Sequence, residues 1–203
     1  MKDGRVRDLT LTVETRILPL FYHLLQDGFL VDARVGCSIR EFLVEQCRLS
    51  SEMIASRIST VFLDGQPVDD LESAFVMNNS TLALSGAMPG LVGAVMRSNS
   101  PLRSFRSAIT HIGSESGSEH QQGLVRLKLF NSVLSEVGPR FLKEGILVEP
   151  TVVAAFLETI VTKHRSGIGE VFLDGKSIDA GALLDNQHRV DADMVLLSAR
   201  THD

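Results

Sequence analysis

Apolar and polar residues alternate in Leu9-Thr10-Leu11-Thr12-Val13, the period of a strand with one buried face. The same alternation returns in Val125-Arg126-Leu127-Lys128-Leu129. A largely apolar helical stretch follows each, over residues 17–25 and 133–142, with a proline inside both (Pro19, Pro139). A second strand is predicted next in each region, over 29–35 and 146–149. Then comes a longer amphipathic helix. In the first region Ser38-Ile39-Arg40-Glu41 reads as a capping box, and Ile39, Phe42, Leu43 and Cys47 share one helical face. In the second, Thr151 is the expected cap and Val152, Val153, Phe156, Leu157 and Ile160 form the stripe. The first region adds a short helix over 51–58.

Two collinear matches turn this parallel into an internal repeat. Val61-Phe62-Leu63-Asp64-Gly65 recurs letter for letter as Val171-Phe172-Leu173-Asp174-Gly175. Upstream, Leu25-Gln26-Asp27-Gly28-Phe29-Leu30-Val31 faces Leu142-Lys143-Glu144-Gly145-Ile146-Leu147-Val148. The downstream match is a strand entering a tight hairpin, in which Asp64, Gly65, Asp174 and Gly175 are the turn residues because Asp-Gly tolerates positive φ at both central positions. A last strand closes each copy, over 81–85 and 194–198. The expected fold is therefore α+β: tandem modules, each a small mixed sheet packed on one main helix.

Residues 123–203 resemble the β-grasp, ubiquitin-like sulfur-carrier family, which includes the small subunit of molybdopterin synthase and the thiamine-pathway sulfur carrier. Val125-Arg126-Leu127-Lys128-Leu129-Phe130, the helix from Thr151, the strand-turn at 171–175 and Asp191-Ala192-Asp193-Met194-Val195 stand in that family's order. The resemblance implies a tandem β-grasp fold. The family's activity depends on a terminal Gly-Gly whose carboxylate becomes a thiocarboxylate. Here the sequence ends Ser198-Ala199-Arg200-Thr201-His202-Asp203, and the glycines at the matching end of the first copy, Gly90 and Gly93, are internal. The expectation is thus the fold without the sulfur-carrier chemistry.

Composition narrows the function. The net charge is −5 and the aromatics are few (ten Phe, one Tyr, no Trp), so non-specific attraction to nucleic acid is disfavoured, short of a local basic patch, and little material is left for base stacking; no nucleic-acid partner is expected. Two cysteines, Cys37 and Cys47, are too few for a disulfide scaffold. The longest uncharged stretch is interrupted by Asn78, Asn79, Ser80 and a Gly-Pro-Gly pattern, so no membrane span is expected. Nor does a signal-peptide pattern appear, and a cytoplasmic protein is expected.

The segment over 86–96 has no counterpart in the second copy. Gly86, Gly90 and Gly93 faintly match a nucleotide loop, but Pro89 lacks an N–H and no Lys follows. The preferred reading is an apolar interaction arm comprising Met88, Pro89, Gly90, Leu91, Val92 and Met96, which packs between the modules, on a second copy or on another protein. Ser100, Pro101, Leu102, Phe105, Ile109 and Ile112 predict a helix with Arg97, Arg103 and Arg106 beside it, followed by a Ser/Gly-rich linker. The domain expectation is 1–96, a connecting region over 97–122, and 123–203.

No His lies at a metal-ligand spacing from a Cys or another His, so no metal site is expected. A nucleophile–base pair of Cys37 with His23 would need tertiary proximity. No catalytic residue and no cofactor is assigned. The leading expectation is a non-catalytic protein that binds a protein partner or forms a homo-oligomer. Two rivals are an accessory protein related to sulfur carriers that contacts an activating enzyme, and an enzyme with a site between the modules.

Overall fold

The computed structural model describes residues 5–88, 90–97, 101, 121–184 and 192–202. The two copies share one order of strands, and copy one adds the helices Ser51–Arg57 and Gly90–Met96. Copy one contains β1 (Val6–Glu14), a 3₁₀ turn (Leu18–Phe21), α1 (Tyr22–Asp27), β2 (Phe29–Val35), α2 (Ile39–Glu41), α3 (Ser51–Arg57), β3 (Thr60–Leu63), β4 (Gln66–Val68) and β5 (Thr81–Ser85), and then α4 (Gly90–Met96). Copy two contains β6 (Gln121–Phe130), α5 (Asn131–Glu144), β7 (Ile146–Val148), α6 (Pro150–His164), β8 (Ile168–Leu173), β9 (Lys176–Ile178) and β10 (Met194–His202). The molecule is α+β with mixed sheets, as the alternation of periods predicts.

Several local expectations meet the structure with a physical adjustment. Pro19 falls in the first turn of its 3₁₀ segment, where a missing N–H costs little. α5 continues through Pro139 instead of breaking there. Ser38 caps α2 by accepting the Glu41 N–H at 3.1 Å. That helix then widens into a π-helical turn over Phe42–Gln46. Thr151 is not the cap of α6: Glu149 occupies the cap position and Pro150 opens the helix, the place its fixed φ favours. Val152 is exposed, whereas Val153, Leu157, Ile160 and Val161 are buried. β6 begins at Gln121, inside the stretch read as linker.

The repeated sequence motifs share a conformation. Asp64 and Gly65 have φ 50° and 81°, and Asp174 and Gly175 have φ 50° and 75°. Positive φ at both central residues matches the right-handed twist of the flanking strands, so each is a tight hairpin turn. Gly28 and Gly145, at φ 112° and 103°, follow directly on α1 and α5, where a left-handed residue ends the helix before the next strand.

The chain forms two compact units, and their boundaries do not fall in the connecting region. One unit is Met1–Leu24 with Val137–Asp203, and the other is Leu25–Glu136. In the contiguous unit the strand order is β4–β3–β5–β6–β2, with β5 and β6 parallel and the remaining neighbours antiparallel. In the discontinuous unit it is β9–β8–β1–β10–β7, with β1 and β10 parallel. In each, copy one supplies the strand beside the hairpin and copy two supplies the next. The expected partition into 1–96 and 123–203 therefore gives way to an exchange: each unit's centre contains a strand from the other copy. Thr81 pairs with Arg126 and Ser85 with Phe130 in the first, and Val6 with Met194 through Glu14 with His202 in the second.

The exchanged strands are among the most buried. Leu9, Leu11 and Val13 of β1, and Val125, Leu127 and Leu129 of β6, have no exposed surface. In the contiguous unit the β6 residues belong to a core that also contains Ile39, Phe42, Leu43, Leu82 and Leu84. In the discontinuous unit the core adds Phe21, Leu142, Val153, Leu157, Val171 and Leu197. Phe21 also meets Phe156 edge-on, with ring centroids 4.7 Å apart.

Candidate interaction surface

The segment expected to be an interaction arm leaves β5 through Gly86 and a buried Ser85, whose hydroxyl accepts from the Asn131 side-chain amide at 2.8 Å. Met88 is half-buried, Gly90 turns the chain with φ 80°, and α4 follows. Gly93 is buried, and the Met88 carbonyl approaches it so closely that a Cβ there would collide, so the helix lies tightly on its own entry turn. Ala94, Val95 and Met96 are half-buried. Leu91 and Val92 lie in α4, and Pro89 lies outside the described residues, as do Ser100, Leu102, Phe105, Ile109 and Ile112 of the predicted basic helix. The glycine spacing of the nucleotide-loop reading is thus used for a turn and a close approach.

The turn residues form a second constellation. Asp64 sits at an exposed hairpin tip, and its carboxylate accepts from the Thr81 N–H at 2.6 Å and the Ser80 hydroxyl at 3.2 Å. Its own N–H donates to the Thr81 carbonyl at 2.8 Å. Asp174 repeats the arrangement on a different strand. Its carboxylate accepts from the Asp8 N–H at 3.0 Å and pairs with the Arg7 guanidinium, while its N–H donates to the Asp8 carbonyl at 2.8 Å. Each Asp pins the start of the copy-one strand beside its hairpin. The Asp8 N–H holds the Asp174 carboxyl below the usual aspartate range, and the Arg7 charge adds to the effect. These carboxylates act as structural acceptors, and Asp64 and Asp174 belong to different units.

Cys37 is buried, and its thiol donates to the Arg34 carbonyl at 3.2 Å and accepts from the Gln46 amide at 3.3 Å. Burial pushes this thiol up from its ordinary value, with the Glu41 carboxylate as a second cause. A raised pKa opposes thiolate formation, so Cys37 is poorly suited to nucleophilic work. Gln46, at the end of the π-helical turn, also accepts the Arg34 N–H at 2.7 Å and donates to the Arg34 carbonyl at 2.9 Å. Its amide therefore pairs with β2 as a strand backbone would. His23 is exposed and belongs to the other unit.

One feature escaped sequence reasoning. In the discontinuous unit a depression of about 350 Å³ is lined by Arg16, Lys163, His164 and Ser166, over Ile17 and Leu20. The Lys163-His164-Arg165 run at the end of α6 was its only sequence signal. The four polar residues are exposed, and Arg16 is already paired with Glu14. Cations at a helix C-terminus complement its carbonyl dipoles without any ligand. Among the described residues no group of three or more His, Cys, Asp or Glu is arranged to hold a metal ion, and no helix is long and apolar enough to cross a membrane.

Neither the protein-family models, nor the curated proteins, nor the solved structures give a match to this chain.

Proposed function

We propose that this chain is a tandem β-grasp protein of the cytoplasm whose work is non-catalytic binding of another protein through the 86–96 arm. The observation that carries the reading is the arm itself. It is a one-sided addition to copy one, held in shape by the Gly93–Met88 contact, and it carries Met88, Val95 and Met96 incompletely covered. Methionine adapts its shape to apolar partners at low cost, which suits a surface of this kind. The β-grasp assignment draws support from the contiguous unit, where a first-type strand (β6) lies parallel to a last-type strand (β5) beside a hairpin, with a second-type strand (β2) outside it.

The test compares the full chain with a Met88→Asp, Met96→Asp variant. Affinity capture from a native extract is expected to recover a protein with the wild type and lose it with the variant. Circular dichroism and the denaturation midpoint of the variant should stay close to those of the wild type. Equal recovery by both proteins removes the arm from the binding function.

A further inference from the structure

We infer that the two copies are obligate partners of each other, so that the covalent connection between them over residues 98–120 is dispensable once the protein has folded. The fold behaves as a heterodimer of its own halves. Each half donates one central strand and receives one.

The argument rests on where β1 and β6 lie. β1 pairs with β10 along its whole length and with β8 on its other side, and both partners lie more than 150 residues away in sequence. Its inner-facing Leu9, Leu11 and Val13 are buried without remainder. Thr10 meets Ser198 hydroxyl to hydroxyl at 2.8 Å, and Asp174 clamps the strand's start. β6 is placed likewise between β5 and β2, and the Asn78 side chain accepts the Leu124 N–H at 2.9 Å. Separating the halves would withdraw a paired central strand from each sheet, exposing two open edges and two sets of apolar side chains at once. Simple adhesion between self-contained modules would require neither loss. The surface by which one half recognises the other is thus a strand-acceptor cleft, and the partner that fits it is the first strand of the other copy.

The full chain, with a protease recognition sequence substituted within residues 113–119, tests this. It is cut in native buffer or, if it resists, in mild denaturant followed by refolding. A version also carrying Thr10→Cys and Ser198→Cys is oxidised after cutting. A version with Ser198→Cys alone controls for the native Cys37 and Cys47, which lie in the other fragment. The cut protein is expected to elute as one species with the mass of the intact chain, and to separate in strong denaturant. Oxidation should join the fragments only in the double-cysteine version. Fragments that part in native buffer overturn the inference. So does a cut protein that stays together while the double-cysteine version yields no joined product, since association would then proceed with the strands unexchanged.

Discussion

Asp174 combines two duties that are usually separate: it supplies positive φ to a turn and a carboxylate to a neighbouring strand. Its carboxyl is held low mainly by the Asp8 N–H. A depressed folded-state pKa means that the ionised form contributes stability above the ordinary aspartate range. That contribution is lost as the pH falls through the folded-state value. Asp174→Asn keeps the turn, because Asn also tolerates the left-handed region, and removes the charge. Urea unfolding at neutral pH is expected to show a loss of about 1 kcal/mol. The difference from wild type should shrink at acid pH, where the wild-type carboxyl is protonated; an undiminished difference there would assign the effect to the turn. At Gly65, by contrast, a Cβ would meet nothing within 4 Å, so only conformation opposes a side chain. Gly65→Ala should cost about 1 kcal/mol in the same assay, with no dependence on pH. Cys37 gives a third expectation. With its thiol pushed up and buried, alkylation followed by mass spectrometry should modify it far more slowly in native than in unfolded protein. Rapid native labelling would contradict that placement.

At the scale of elements, much was legible because period and punctuation act locally. The alternation in 9–13 and 125–129 marked both first strands, and the Asp-Gly pairs marked both hairpins with the conformation that Asp-Gly favours. The Ser38 cap was legible for the same reason, since its partner lies three residues away. What was not legible depended on competition. Thr151 is a good cap, but Pro150 beside it is a better first helical residue, and the helix begins two positions earlier. The π-helical turn at Phe42–Gln46 has no periodic signal of its own; its amide pairing with Arg34 is tertiary. β1 is the element on which the discontinuous unit depends most. Leu11→Ala at its centre is expected to cost roughly 2–5 kcal/mol in denaturant unfolding. Hydrogen exchange should quicken in β8 and β10 with β3 and β5 unaltered. Loss of protection in β5 instead would place β1 in the contiguous unit.

The organisation of the whole molecule follows from a choice that local pattern does not encode. β1 and β6 carry nearly the same alternation of apolar and polar residues, so either satisfies the inner face of either sheet. Repeats therefore reveal how many modules a chain can build and conceal which segments build them. The same holds for the candidate surface. The apolar character of 86–96 was visible in sequence, whereas the packing of Gly93 on Met88 and the basic depression beside α6 required the fold.

The exchange is tested most directly by proton–proton contacts across the strands in solution, measured by nuclear Overhauser spectroscopy on the isotopically labelled full chain. Contacts from Thr10 and Leu11 to Ser198 and Ala199 on one side, and to Phe172 and Val171 on the other, are predicted. Contacts from the same residues to β2 and β5 would show each copy closed on itself and would contradict the account.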